Sequence, residues 1–296
     1  MNPELCRTDS NDIDKTVKTL LAATQSALEQ GLATELEQSD IPPHEYIKKC
    51  FKSVWIGLAG IERSGFREVL LPKVSELFGL PAGNDLRLTN DVDLLSASMA
   101  QHPNAPSAII AIAGTGSVAM RYTRIDGGYG CVARSGGWGH ILGDEGSGYA
   151  IGLEGIKRTL TTLEERRLGL HDGPLGGLEK KILNYFGWTD SDAKNIDLLS
   201  ELLIQRQTQS LKGRIAGVAL VVMAEADKDQ AAGAIVDSQA QFFVEHTLQR
   251  LVSSKCHGYV PPEDSGLILS GSVMNSPIYR DSILTKLAAH GTRFQY

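Results

Sequence analysis

The stretch "SAIIAIAGTGSVAMRYTRIDGGYGCVAR", residues 107–134, decides how the rest of the chain is read. Residues 107–114 form a largely apolar run of strand length, the pattern of a strand buried on both faces. "VAMRYTR" (118–124) and "YGCVAR" (129–134) flank Asp126-Gly127, a dipeptide that tolerates the positive φ of a tight hairpin. One strand therefore enters the glycine turn "GTGS" (114–117) and another leaves it. The same letters "GTGSVA" fit the dinucleotide fingerprint G-x-G-x-x-A, but that fingerprint needs a helix after the turn to meet the pyrophosphate. Here β-branched and aromatic residues predict a strand, and no acidic residue ends a second parallel strand at the right place. No G-x-x-x-x-G-K-[ST] occurs, which excludes a Walker P-loop. The turn has two readings. It is a plain tight turn, or Gly114 and Gly116 let the backbone approach an anion, with Thr115 and Ser117 adding hydroxyl donors.

Upstream, strands and helices alternate. The spacing of Ile13, Val17, Leu20, Leu21 and Leu28 predicts a helix over 10–31. "PPHEYIKKCF" (42–51) reads as a short helix opened by Pro43. "SVWIGLAG" (53–60) is an apolar run of strand length. "ERSGFREVLLPKVSELFGL" (62–80) is helical, kinked or restarted at Pro72. "LRLTN" (86–90) is a short strand, and "DVDLLSASMA" (91–100) is a helix that opens on Asp91. This alternation predicts an α/β domain. Downstream of 134, residues 148–166 and nearly everything from 175 to 255 read as helical. "GRIAGVALVVMAEA" (213–226) is apolar almost all round, the pattern of a buried helix. "GLILSGSV" (266–273) returns to a buried strand ending in a glycine turn, and a helix follows over 276–291. The shift in pattern places a domain boundary between 106 and 107, giving domains 1–106 and 107–296.

Composition narrows the function classes. The chain has 296 residues, 42% hydrophobic and 22% charged, enough for one large or two medium cores. The net charge of −6 offers no basic field for nucleic acid. Its apolar runs are too short to span a membrane, and the N-terminus is too polar for a signal peptide. The four cysteines are scattered without C-x-x-C spacing, which fits neither a zinc site nor a disulfide framework and suits a cytoplasmic setting.

Two further features carry candidate chemistry. Asp91 follows a strand and opens a helix, where a carboxylate caps free N–H groups or meets a ligand at the strand's C-terminal edge. "SGGWGHILGDEGSGYAIG" (135–152) gathers glycines, Trp138, His140 and the Asp144-Glu145 pair in one loop. Trp138 suits either stacking on a ligand or pinning the loop. His140 has no partner at metal-ligand spacing, which favours a role in fixing the loop.

Taken in order, "LTND" (88–91), "IAGTGSVA" (112–119), "GGWGHILGDEGSGY" (136–149), "RIAG" (214–217) and "GSV" (271–273) resemble the N-acetylglucosamine kinases of the BadF/BadG/BcrA/BcrD-type ATPase group. That group belongs to the sugar kinase/Hsp70/actin superfamily. "GLAGIERSGF" (57–66) also looks like its strand-to-helix segment. The resemblance implies a two-domain actin-like (ribonuclease H-like) α/β fold whose cleft brings ATP, with Mg2+, to an amino sugar. Asp91 would be the general base for attack by the sugar 6-hydroxyl. Gly114, Thr115 and Gly116 would hold ATP phosphates, and Ala216, Gly217, Gly271 and Ser272 would border the nucleotide. Ser117, Gly137, Trp138, Gly139 and Asp144 would hold the sugar, and Glu145 would support the loop or a magnesium-bound water. Relatives imply a homodimer.

The family's chains begin with a strand and a "DGGGT"-type loop, and nothing of that kind precedes Asp91; only Asn2 offers a match to a sugar-binding asparagine. The family also continues beyond the position of Tyr296. On this comparison the N-terminal domain is incomplete, and a missing phosphate clamp costs several kcal/mol of transition-state stabilisation, by analogy with the roughly 3–4 kcal/mol of a single oxyanion-hole donor. Two alternatives follow from the same resemblance. A sugar-binding pseudokinase fits the missing clamp. An activator-type ATPase requires a cysteine-ligated iron–sulfur cluster, for which the four cysteines lack a pattern.

Overall fold

The computed structural model describes residues 10–31, 43–58, 61, 65–125, 128–170, 172–188, 197–203 and 210–296. Asn2 and the Asp126-Gly127 hairpin pair lie outside the described residues, as do residues 59, 60 and 62–64 of the "GLAGIERSGF" segment. The chain divides into two compact units, Met1–Ala97 and Ser98–Tyr296. The sequence had put the boundary between 106 and 107, where the strand pattern changes.

The first unit contains α1 (Ser10–Gly31), α2 (Pro43–Cys50), β1 (Val54–Gly57), α3 (Phe66–Phe78) and β2 (Leu86–Thr89). β1 and β2 pair in parallel, Val54 opposite Leu86 through Gly57 opposite Thr89. Ile13 and Leu28 of α1, Ile47 of α2, and Leu70, Val74 and Phe78 of α3 close on Ile56, Leu86 and Leu88 of the strands. α3 runs through Pro72 without restarting and stops at the left-handed Gly79, whose N–H bonds the Ser75 carbonyl. The helix expected from Asp91 is a 3-10 helix over Asp91–Gln101. Its side chains compete for the backbone: the Val92 N–H donates to Asn90 Oδ1 at 2.9 Å and to Asp91 Oδ1 at 3.1 Å, and Ser96 Oγ donates to the Asp93 carbonyl at 2.6 Å.

The second unit is built on a four-stranded sheet in the order β5-β4-β3-β6. Its strands are β3 (Ser107–Ala113), β4 (Ser117–Ile125), β5 (Gly128–Gly136) and β6 (Ser265–Ser270). β3 lies at the centre, antiparallel to β4 and parallel to β6, and is buried along almost its whole length. The helices are α4 (Gly148–Arg167), α5 (Gly177–Tyr185), α6 (Leu198–Leu203), α7 (Leu211–Glu225), α8 (Gln230–Phe243) and α9 (Pro277–Ala289). α8 continues through a π-helical turn, Val244–Leu248, into Gln249–Val252, so the long helix predicted from 230 is interrupted.

One helix departs from the sequence reading, and one buried charge stands out in the sheet. α7 is apolar all round but not buried all round. Ile215, Val218 and Val222 are core, while Leu220 is 72% exposed. Arg121 lies inside β4 and is fully buried. Its guanidinium donates to the Leu251 carbonyl at 2.6 Å, to the Val260 carbonyl at 3.3 Å and to Ser107 Oγ at 3.1 Å. Burial pushes its pKa below the ordinary guanidinium value, while Cys256 and Tyr259 act the other way. No helix among the described residues is long and apolar enough to cross a membrane.

Candidate functional site

The glycine turn "GTGS" joins β3 to β4 as a strand-to-strand connection. The Gly114 N–H donates to the Gly116 carbonyl at 2.9 Å and closes the turn. α4 starts beside it, with Ser147 as its cap: Ser147 Oγ accepts from the Ala150 N–H at 3.2 Å. The next free donors of that helix are turned back onto the loop. The Gly148 N–H bonds the Gly114 carbonyl at 2.7 Å, and the Tyr149 N–H bonds the Thr115 carbonyl at 3.4 Å. The helix N-terminus thus braces the turn and has little left for a ligand. Among the described residues, no hydrogen bond engages the N–H groups of Thr115 and Gly116. Those two N–H groups are the turn's available anion donors.

Next to this turn is a cleft of about 440 Å3. Gly114, Thr115, Ala216, Gly217 and Ser272 all line it, together with Gly213, Leu220, Met223 and Val273. The exposed apolar side of α7 is therefore a cleft wall, which explains a helix that is apolar on faces it does not bury. Gly271 does not line the cleft. It holds a left-handed backbone (φ 102°) against the Ala113 carbonyl, and the Val273 N–H bonds that carbonyl at 2.9 Å. Gly217 is small for a local reason as well: its α-carbon faces the Tyr185 phenol, which donates to the Arg214 carbonyl at 3.3 Å.

The 135–152 loop is fixed from several sides. Gly136, Gly137 and Gly139 all take positive φ, which lets the chain fold back before α4. Gly146 is buried with both polar backbone groups satisfied by distant helices. Its N–H donates to Gln239 Oε1 at 3.0 Å, and its carbonyl accepts from the Tyr279 hydroxyl at 2.7 Å. Burial pushes the Tyr279 phenol pKa well above its ordinary value. His140 makes an edge contact with the Tyr149 ring, centroids 4.9 Å apart.

Asp144 is the loop's distinctive residue. It is only 5% exposed, and among the described residues it is the single non-glycine with positive φ, 64°. Such strain concentrates at functional positions. One carboxylate oxygen accepts from the Gly139 N–H at 3.1 Å; the other lies 4.0 Å from Lys212 Nζ. That second oxygen also faces Gly116, where an added Cβ would sit 2.7 Å from it. Ser117 Oγ donates to the Glu145 carbonyl at 2.7 Å, so its proton serves the loop. Trp138, 61% exposed, and Asp144 line a small pocket of about 140 Å3 with Glu145, His246, Thr247 and Arg250. Arg250 lies over the Trp138 ring at 5.8 Å. Gly137 and Gly139 shape the loop without lining that pocket.

In the first unit Asp91 stands at the end of β2 with an exposed carboxylate. Gly57, at the end of β1, makes this possible: a Cβ there would come within 2.8 Å of Asp91 Cα and 2.6 Å of the Leu94 side chain. Sequence reasoning missed Gly57 in this role, along with Lys212, Arg250, Gln239 and Tyr279. Only Gly57 lies within a block the motifs had already marked.

No protein-family model matches the chain, and no curated protein matches it. Solved structures do. One from Chromobacterium violaceum, provisionally named an N-acetylglucosamine kinase, aligns with a TM-score of 0.63 at 20% identity, over 97% of this chain and 82% of its own. One from Porphyromonas gingivalis, with the same provisional name, aligns with a TM-score of 0.58 at 19% identity, over 92% of this chain and 80% of its own. The chain therefore shares the mixed α/β fold of these structures.

Proposed function

We propose that the chain is an ATP-dependent sugar kinase that phosphorylates the 6-hydroxyl of N-acetylglucosamine. One observation carries this reading. Five of the seven residues that the family resemblance assigns to the nucleotide line a single cleft, beside two unengaged backbone N–H groups. The provisional names of the two similar structures support the same substrate class.

In this reading ATP is a substrate. The small residues of α7, flanked by Leu220 and Met223, take the flat base, and the Thr115 and Gly116 N–H groups take phosphate oxygens. Magnesium arrives with the nucleotide and neutralises phosphate charge. The buried Asp144 carboxylate, held by the Gly139 N–H, accepts hydrogen bonds from sugar hydroxyls, and Trp138 packs on the ring. Asp91 takes the proton of the 6-hydroxyl as its oxygen bonds to the γ-phosphorus and ADP departs.

The test is turnover of the chain with labelled ATP and a panel of amino sugars and plain hexoses. The expected product is N-acetylglucosamine 6-phosphate, identified by phosphorus coupling to the C6 protons. ATP binding without phosphorylation of any amino sugar would reject the reading.

A further inference from the structure

A second cleft lies between β5 and the end of the α8 helix. Two buried side-chain atoms have no hydrogen-bond partner among the described residues, Ser135 Oγ and Gln249 Nε2. Leaving such a group unsatisfied costs about 1–3 kcal/mol, and folded proteins keep few of them. Both residues line the same cleft, which has a volume of about 640 Å3. Ser135 is only 6% exposed and is the penultimate residue of β5, where the glycine loop begins. Gln249 follows directly on the π-helical turn Val244–Leu248, a local irregularity often found at binding sites.

The charge around these atoms has one sign. Arg134, Arg250 and Lys255 line the cleft with His257, and no carboxylate side chain lines it. Among the described residues none of the three cations is ion-paired. Arg134 donates to the Gly137 carbonyl at 3.0 Å, and Arg250 covers Trp138, so both guanidinium groups keep further N–H donors.

We propose that this cleft binds a small organic anion, a metabolite carrying a carboxylate or phosphate group. Arg134, Arg250 and Lys255 supply the opposing charge, and Ser135 Oγ and Gln249 Nε2, closed to solvent in the unliganded chain, turn towards its acceptor atoms on binding. Arginine forks match the paired oxygens of either group. The volume is that of a metabolite site rather than of a bare ion. This site does not depend on the kinase reading. It does share Gly136, Trp138 and Arg250 with the small pocket of the loop, so an occupant that draws on Arg250 changes the surroundings of Trp138.

Calorimetry on the full chain tests the site, with inorganic phosphate, 3-phosphoglycerate and citrate as probes and glycerol as neutral control. One anion bound per chain is expected, with a change in tryptophan emission that Trp138→Phe abolishes while binding persists. The phosphate and carboxylate arms separate the two anion classes. Lys255→Ala and Gln249→Leu should each weaken binding about tenfold or more, a loss of about 1.4 kcal/mol. Ser135→Ala removes an unsatisfied hydroxyl, so it keeps the fold intact and still weakens binding. No heat from any anion up to about 10 mM, where even weak sites fill, would overturn the proposal. Equal binding of glycerol, or an affinity unchanged in all three variants, would overturn it too.

Discussion

Removing one oxygen atom, in Tyr279→Phe, tests how the glycine loop is held. The Tyr279 ring is fully buried on α9, and its hydroxyl donates to the Gly146 carbonyl at 2.7 Å. Phenylalanine keeps the ring and leaves the carbonyl unpaired in a site closed to water. The loss is about 1–3 kcal/mol of unfolding free energy at neutral pH. The phenol adds a pH signature. Burial raises its folded pKa above the ordinary tyrosine value, so the native state holds a proton that the unfolded chain gives up above about pH 10. The contribution is therefore complete below that pH and declines above it, by about 1.4 kcal/mol per pH unit. A wild-type advantage of about 2 kcal/mol at pH 8 should vanish by about pH 11.5. Urea unfolding followed by circular dichroism, run on both proteins across that range, reads the difference directly. A deficit below about 0.5 kcal/mol at pH 8, or one that stays constant from pH 9 to 11, would refute the reasoning.

Other positions give sharp expectations. Asp91→Asn should lower kcat about 10²–10⁴-fold in the amino-sugar kinase assay with little change in the KM for sugar, as loss of a general base does. Gly116→Ala places a methyl 2.7 Å from an Asp144 carboxylate oxygen and forces that side chain aside. A displacement of that size should cost about 10²-fold in kcat/KM, read in the same assay. Ala216→Phe fills the cleft on α7 and should abolish protection by ATP in a thermal-shift measurement while leaving the unliganded Tm within a few degrees. Gly57→Ala should destabilise the first unit by about 1–3 kcal/mol, because the 3-10 helix at Asp91 and Leu94 must move, as seen by urea titration.

Much of this was legible in the sequence because it is encoded locally. The antiparallel β3–β4–β5 run follows from apolar strands punctuated by glycine turns, and the rejection of a dinucleotide site followed from the strand after "GTGS". The parts that were not legible depend on distant partners. α7 reads as a core helix because sequence hydrophobicity does not distinguish a packed face from a cleft wall. The 3-10 geometry after Asp91 reflects side-chain bonds from Asn90, Asp91 and Ser96 that no apolar spacing reveals. Tyr279 and Gln239 clamp Gly146 across 133 and 93 residues of chain, and nothing in their own surroundings marks them.

Asp144 shows why the loop needs that distant support. A non-glycine residue with φ of 64° costs energy of order 1–2 kcal/mol, and the surrounding structure must supply it. The carboxylate recovers part through the Gly139 N–H and the nearby Lys212 ammonium. The backbone on its C-terminal side is held by the Ser147 N–H, which bonds the Asp144 carbonyl at 3.1 Å, and by the two clamps on Gly146. A relaxed Asp144 would turn away from Gly116, and the carboxylate would no longer stand beside the turn that offers the free N–H groups. The loop's sequence supplies glycines for the fold-back and the acid that the proposed function gives to sugar recognition, but α8 and α9 determine whether that acid points at the turn. Loosening either clamp should therefore cost sugar affinity before it costs nucleotide affinity, because the cleft on α7 contains neither Asp144 nor Gly146. Tyr279→Phe and Gln239→Leu, titrated separately with N-acetylglucosamine and with ATP, are expected to show that asymmetry. Equal losses for both ligands would mean that the clamps hold the whole unit together rather than the loop.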